Sequence, residues 1–160
     1  MPDPILEIRD LTVEFATEDG LVRAVTGVSY DLRPGEVLGI VGESGSGKSV
    51  SMLTVLGLTP MPPGRIAAGE ALYKGQDLLT MPKKRLRDLR GGELAMIFQD
   101  PMTSLNPVFT IGDQISEAVL THNPGMKDHA VRARTIELLE SVGVPFAERR
   151  VDQGACGPHR

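Results

Sequence analysis

The chain has no tryptophan, a single cysteine and an aromatic content of only 4% in 160 residues. One cysteine, Cys156, excludes an internal disulfide and is typical of a reducing compartment. No apolar run approaches the roughly 20 residues that cross a bilayer. Residues 1–4 lack the basic and apolar regions of a signal peptide. We therefore expect a cytoplasmic chain that reaches a membrane only through a protein partner.

Positive charge is also in deficit, since the formal net charge is −4. This balance argues against nucleic acid as the main partner. A basic run at residues 83–87 has no interleaved aromatics and is better interpreted as a solvated helix face. The three histidines show no metal-ligand spacing with Cys156. An apolar content of 41% is enough for a packed core, and the length suits one domain or part of a larger one.

A glycine-rich octet is the most informative stretch of the sequence. It fits the pattern G-x-x-x-x-G-K-[ST], the loop that surrounds nucleotide phosphates. The octet consists of Gly42, Glu43, Ser44, Gly45, Ser46, Gly47, Lys48 and Ser49. Glycines let the backbone coil tightly, so that successive N–H groups converge on one anion. The pattern thus predicts a site for a nucleoside triphosphate.

The two final residues of the octet carry the remaining chemistry. Lys48 places a positive charge on the β- and γ-phosphates, and Ser49 offers a hydroxyl to Mg²⁺. A helix from about Lys48 directs its positive end at the same anion. Residues 36–41 form an apolar run that predicts a buried parallel strand. This context of strand, loop and helix argues against a chance Gly/Ser turn.

The remaining patterns predict a β-rich first half and a helical second half. Residues 6–15 and 21–32 predict a β-hairpin around a turn at residues 18–20. A short strand at 70–73, a basic helix at 81–90 and an apolar strand at 94–98 follow. Two amphipathic helices are expected, one from Ile111 and one that ends at Gly143. Residues 151–160 show no periodicity and predict a disordered tail.

Together these residues resemble an ATP-binding subunit of an ABC transporter, in the group that energises uptake of oligopeptides, dipeptides and nickel. The most specific support is residues 95–107, which read Ala-Met-Ile-Phe-Gln-Asp-Pro-Met-Thr-Ser-Leu-Asn-Pro and are similar to the glutamine loop of that group. Residues 41–49 and 111–115 add to the resemblance, which covers about residues 4–150. The solute is not identified by these motifs.

The resemblance implies roles for residues outside the octet. Gln99 would contact Mg²⁺ or the attacking water, and the run from Asp100 to Asn106 would face the membrane subunits. Phe15 matches the position where the family stacks an aromatic ring on adenine. The alternative for Phe15 is a core-facing aromatic in a strand, with Val22 packing on the base instead. ATP and Mg²⁺ are the implied cofactors, and a second ATPase subunit is an implied partner.

The resemblance also implies the fold and its division. We expect an α/β protein with a P-loop NTPase (RecA-like) core, an N-terminal antiparallel β-subdomain and the start of a helical subdomain, incomplete as a whole. Residues 1–98 would form the first part of the core and residues 99–110 the glutamine loop. Residues 111–150 would form a partial helical subdomain, with 151–160 as an atypical tail. The location would be peripheral, on the inner face of the cell membrane.

Several motifs that hydrolysis requires in this family are missing from the sequence. No Leu-Ser-Gly-Gly-Gln-like motif, no apolar strand that ends in Asp-Glu and no switch histidine is present. We therefore expect a truncated chain and assign no catalytic residue. The leading hypothesis is an importer ATPase subunit represented by its N-terminal part. The alternatives are a non-catalytic nucleotide-binding remnant and a small P-loop kinase.

Overall fold

A computed structural model describes residues 3–99 and 105–154 of the chain. The chain divides into two compact units, Met1–Leu94 and Ala95–Arg160. The first unit contains an antiparallel sheet with two helices, and the second contains helices. In the described ranges, no helix is both long and apolar enough to span a membrane.

The sheet of the first unit is built around the predicted hairpin. Strand β1 (Leu6–Thr17) pairs with β2 (Gly20–Leu32), and the pairing closes at Thr17 and Gly20. Strand β3 (Gly64–Tyr73) pairs with the other edge of β1, and the two-residue β4 (Gln76–Asp77) completes the order β2-β1-β3-β4. The hairpin is confirmed, and the strand predicted at 70–73 extends back to Gly64.

Two short helices flank this sheet. Helix α1 (Lys48–Val55) follows the glycine-rich octet, and α2 (Lys83–Leu89) is the predicted basic helix. Both contribute to one apolar core with the strands. Its buried members are Ile8, Leu11, Val13, Val25, Val55, Ala71, Tyr73, Leu78 and Leu86. The core therefore fixes α1, and with it the start of the octet's helix, against the hairpin.

Both tyrosines of the chain belong to this unit. The hydroxyl of Tyr73 donates to Glu93 at 3.0 Å, and Lys74 lies over the Tyr73 ring at 5.0 Å from its centroid. The Tyr30 hydroxyl lies 3.8 Å from the sulfur of Met52 in α1. These contacts attach both rings to the sheet and its neighbouring segments.

The predicted strands at residues 36–41 and 94–98 are wrong for this structure. Neither run pairs into the sheet, and Val37, Val41 and Ile97 are 95%, 93% and 96% exposed. A parallel strand requires neighbouring strands for its hydrogen bonds. Within the described residues, no strand lies beside either run, so their apolar composition alone does not produce β structure. Leu94 forms only an isolated bridge to Arg90.

The second unit confirms both predicted helices, but only the first has a clear apolar face. The buried residues of the second are Val131, Thr135 and Leu139, so the amphipathic pattern predicted for it is wrong. Helix α3 (Ile111–His122) begins with a capping box, in which the Thr110 side chain accepts from the Asp113 N–H and the Asp113 carboxylate accepts from the Thr110 N–H. Helix α4 (Asp128–Ser141) packs against it, and a single turn, α5 (Ala147–Arg150), follows. A small core forms from Leu139, Ala147 and Val151.

The expectation of disorder from residue 151 is wrong for Val151 to Gly154. Val151 is 3% exposed, and its carbonyl accepts from the Gly112 N–H at 2.8 Å. Asp152 makes two contacts of 2.8 Å with the guanidinium of Arg132. The buried side chain of Val151 and the backbone hydrogen bonds of the segment fix these four residues. Neither feature requires a periodic sequence pattern. Residues 155–160 lie outside the described residues.

Candidate functional site

The octet forms a loop at residues 42–47 that enters α1 at Lys48. Gly45 and Gly47 have φ angles of 83° and 86°, in the left-handed region where a side chain is strained. Gly47 is the residue immediately before the helix. The sequence context of loop and helix is therefore confirmed, although the strand predicted before it is not formed.

Gly47 is fixed by a close backbone approach as well as by its φ angle. A Cβ atom placed on Gly47 would overlap the carbonyl oxygen of Ala24 in β2 and would lie 3.3 Å from a methyl group of Val25. The end of the loop thus packs directly on the hairpin. This contact sets the position at which the helix begins.

Lys48 folds back over the loop. Its Nζ donates to the carbonyl oxygens of Gly42 and Glu43, both at 2.7 Å, and to the Ser46 hydroxyl at 3.1 Å. An ammonium group has three N–H donors, so the loop satisfies all of them. The positive charge is consequently held within the curve of the glycine-rich loop.

The N-terminus of α1 is open to an anion. No side chain caps the helix, and its first turn contains no acidic residue. The first N–H groups of a helix lack partners inside the helix, and the helix dipole makes this end positive. Ser49 lies in this first turn and is exposed. The arrangement of open N–H groups, Lys48 and an exposed hydroxyl can hold a phosphate and an oxygen-bound cation.

Phe15 lies in β1, where its register partners are Val22 in β2 and Gly64 in β3. The ring is half-buried and packs against the core of the first unit. Val22, the alternative contact for the base, is 51% exposed. It lies two residues, or about 7 Å along the strand, from Ala24, which contacts the loop at Gly47. The adenine-stacking role of Phe15 stays a prediction.

Gln99 is exposed and belongs to the second unit, whereas Ser49 belongs to the first. A shared role of these two residues at Mg²⁺ therefore stays a prediction. Of the expected coupling run, Asp100 to Ser104 lie outside the described residues, and Leu105 and Asn106 are described.

Gln114 organises the loop that leads into α3, a role that the sequence analysis did not identify. Its amide oxygen accepts from the Asn106 N–H at 2.8 Å, and its amide nitrogen donates to the carbonyls of Asn106, Phe109 and Thr110 at 3.0, 3.3 and 3.3 Å. One side chain thus fixes residues 106–110. The sequence signal was its position within residues 111–115, but the pattern did not indicate its contacts.

Arg90 fixes the opposite end of α1 and was also missed. Its Nε donates to the Leu56 carbonyl at 2.8 Å, and its Nη2 donates to the Gly57 carbonyl at 2.9 Å. These carbonyls follow the last turn of the helix, where a cation is electrostatically favoured. The helix that begins at the phosphate loop is therefore anchored at both ends, by Gly47 on β2 and by Arg90.

A buried carboxylate lies next to Phe15 in β1. Glu14 accepts from Arg23 at 3.0 Å, and from Arg65 at 3.0 and 2.6 Å. Burial raises the pKa of Glu14, but the hydrogen bonds from both arginines outweigh it and leave the pKa below its ordinary value of 4.5. This cluster joins β1, β2 and β3 beside the strand segment that supports the loop.

The sheet, the glycine loop and the helix that follows it define a P-loop class of nucleotide-binding domain. The family model described as "ABC transporter" matches residues 25–157, and the chain belongs to that family. This match includes the octet, Gln99 and the helices α3, α4 and α5 of the second unit.

The curated relatives carry transport names. OppD of Bacillus subtilis, named an oligopeptide transport ATP-binding protein, is 49% identical over 149 residues, which are 93% of this chain and 41% of that protein. DppD of Haemophilus influenzae, named a dipeptide transport ATP-binding protein, is 51% identical over 92% of this chain and 44% of its own length. The chain thus spans less than half of the length of either relative.

Two solved structures show the same fold. The dimeric bacterial ABC transporter cassette MJ0796 superposes with a TM-score of 0.78 at 21% identity, over 93% of this chain and 61% of that one. CbiO1 from Clostridium perfringens gives a TM-score of 0.67 at 24% identity, over 95% of this chain and 54% of that one. The predicted fold class, a partial α/β P-loop NTPase domain, is confirmed.

Proposed function

We propose that this chain is the N-terminal, ATP-binding part of an ATPase subunit of an ABC importer for peptides or a related solute. The observation that carries the proposal is the geometry of residues 42–49. Lys48 is held within the loop by three oxygen acceptors, and the loop ends at an uncapped helix N-terminus. The transport names of the relatives support the choice of solute class.

Phosphate binding follows from groups already in place. The N–H groups of the loop and of the first turn of α1 donate to phosphate oxygens. Lys48 exchanges at least one of its loop acceptors for a phosphate oxygen, so its charge neutralises part of the anion. Because Gly47 packs on Ala24, the helix end that receives the phosphate does not have to be ordered on binding.

The oxygen donors proposed for Mg²⁺ are of the type that this ion prefers. This ion prefers oxygen ligands and keeps several of its waters, and it is commonly bound by one or two protein oxygens together with substrate phosphates. The exposed Ser49 hydroxyl would supply one such oxygen. Gln99, also exposed, would supply its amide oxygen or position a water. When bound, the ion would neutralise charge on the β- and γ-phosphates.

Calorimetric titration with Mg·ATP tests the nucleotide site. We expect saturable binding by the chain, and a loss of about 10- to 150-fold in affinity in Lys48→Ala, because charged hydrogen bonds are removed. The matched control is Lys127→Ala, since Lys127 is exposed and lies in the second unit. Equal affinities of the two variants would overturn the assignment.

The loop after Gln99 is proposed to dock on the membrane subunits of the importer, which would place the chain at the inner face of the membrane. Support comes from exposed apolar side chains beside the expected coupling run. Leu105, Val108 and Phe109 are 41%, 83% and 53% exposed. Large exposed apolar groups in one short segment are typical of an interaction site.

Copurification with the membrane subunits of a peptide importer tests this docking. Val108→Asp is expected to abolish copurification. Val142→Asp should not, because Val142 is similarly exposed, at 75%, but lies after α4. Retention of the complex by Val108→Asp would contradict the docking proposal and would leave the nucleotide site untouched.

A further inference from the structure

A second cavity lies in the first unit, away from the glycine-rich loop. It has a volume of about 490 Å³ and lies between the C-terminal end of α1, strand β3 and helix α2. This volume falls within the range of about 300–1,000 Å³ that is usual for small-molecule sites. None of the residues 42–49 lines it.

Apolar and polar groups share the walls of the cavity in similar measure. Leu78 and Leu86 are almost fully buried, at 1% and 6% exposure, and both belong to the core of the unit. The other apolar lining residues are Met61, Ile66, Leu79 and Met81. The hydroxyl groups of Thr54 and Thr59 lie 2.8 Å apart and form one hydrogen bond with each other. The apolar side chains therefore favour an apolar group in one part of the cavity.

The charge at the cavity has one sign. Lys83, Lys84, Arg87 and Arg90 line it, and none of its described lining residues is acidic. The chain as a whole carries −4, so this local concentration of cations is opposite to the overall balance. Side chains of one sign around a low-dielectric wall attract a counter-charge.

Arg90 is the most rigid of these cations. Two of its five N–H donors are used by the Leu56 and Gly57 carbonyls. The other three have no acceptor in the part of the chain that the structure describes. A guanidinium already fixed by two backbone contacts loses little freedom when it binds a carboxylate.

We propose that this cavity binds an amphipathic monoanion, with an unbranched alkyl chain on the apolar walls and a carboxylate at Arg90 and Arg87. The apolar side chains of the lining disfavour a nucleotide or another polyanion, because part of its polar surface would lie against them without partners. The proposal does not depend on ATP binding, because the two sites share no residue.

Calorimetric titration of the chain with sodium decanoate, below its micelle concentration, tests the site. We expect saturable binding at one site, and an affinity for neutral decanol lower by about tenfold or more because the charged hydrogen bonds are lost. Octanoate should bind more weakly than decanoate by about fourfold per methylene removed. Equal binding of decanoate and decanol, or no dependence on chain length, would overturn the proposal.

Two charge-reversal variants distinguish binding in the cavity from non-specific electrostatic attraction of the anion. Arg87→Glu changes a lining residue, whereas Arg85→Glu changes a residue of the same helix that does not line the cavity. Both change the net charge by the same amount. We expect at least a tenfold loss of decanoate affinity in Arg87→Glu only. An equal loss in both would show non-specific electrostatics and would overturn the site.

The Lys48→Ala chain gives the final control. It should bind decanoate with the affinity of the unchanged chain, since Lys48 is not part of the cavity. The Mg·ATP titration therefore tests the nucleotide site, and the decanoate titration tests the cavity independently of it. Circular dichroism of every variant confirms that the comparison is made on folded protein.

Discussion

The carbonyl oxygen of Ala24 lies so close to the α-carbon of Gly47 that no side chain can be placed between them. This contact joins the hairpin to the first residue before α1 and thereby sets where the helix N-terminus points. Glycine is thus required at position 47 for two reasons: its backbone is left-handed, and β2 leaves no room for a side chain. Both requirements can be tested at the same position.

Gly47→Ala is expected to lower the free energy of unfolding of the first unit by at least 1–2 kcal/mol, roughly the cost of a left-handed residue, with the overlap on Ala24 added. Mg·ATP affinity should fall with it. Gly39→Ala is the matched control, because a Cβ there meets nothing within 4 Å and its φ is not in the left-handed region. Urea denaturation measures both, and similar midpoints would contradict the role of the contact.

Arg90→Ala removes two charged hydrogen bonds to the carbonyls after α1. We expect a loss of about 1–3 kcal/mol in the free energy of unfolding, since those carbonyls are left without their donor. Arg90→Lys should recover part of it, because a lysine retains the charge but lacks the planar fork. Arg87→Ala, in the helix α2 that ends just before Arg90, should change stability by less than about 0.5 kcal/mol. A stable Arg90→Ala chain would show that α1 is held by its core contacts alone.

The Glu14 cluster predicts a pH dependence of stability. Because the folded pKa of Glu14 lies below 4.5, its contribution is fully present above about pH 5 and is lost as the pH falls through the lowered value. The stability difference between the unchanged chain and Glu14→Gln should therefore be constant near neutral pH and shrink in acid. Chemical denaturation at a series of pH values measures it.

Glu18→Gln in the exposed turn of the hairpin is the control for this series. It removes the same charge without touching either arginine. A difference between the chain and Glu14→Gln that stayed constant down to pH 3 would contradict the assigned role of Arg23 and Arg65.

Val151→Ala tests whether residues 151–154 belong to the packed second unit. Val151 is 3% exposed, so removal of two methyl groups should cost about 1.5–2.5 kcal/mol. Val142→Ala, at a position that is 75% exposed, should cost less than about 0.5 kcal/mol. The rate of amide hydrogen exchange in α3 measures the effect, because the Gly112 N–H donates to the Val151 carbonyl. Unchanged exchange in Val151→Ala would mean that the segment does not stabilise the helix.

The sequence predicted those secondary-structure elements that are determined by residues close to one another in the chain. The hairpin was visible from alternation and a turn, and α3 from its apolar face. The octet predicted its own loop because its glycine spacing reflects backbone geometry. These features depend on contacts between residues that are near in sequence.

The wrong predictions concern features that need distant partners. Residues 36–41 have a strand-like composition, but a strand also needs a neighbour, and the described sheet offers them none. Arg90 is 34 residues from Leu56 in sequence, and no local pattern links them. Val151 lacked a periodic context, yet it is buried because Gly112 and α5 surround it. In each case tertiary contacts decided what composition could not.

The location of both tyrosines in the first unit determines what a spectroscopist observes. With no tryptophan in the chain, intrinsic emission follows Tyr30 and Tyr73 and therefore the sheet unit alone. Far-ultraviolet circular dichroism also contains α3 and α4 of the second unit. Separate unfolding of the two units would thus appear as denaturation curves that do not coincide. Phe146→Trp, at a position that is 75% exposed, would give the second unit an emission band of its own.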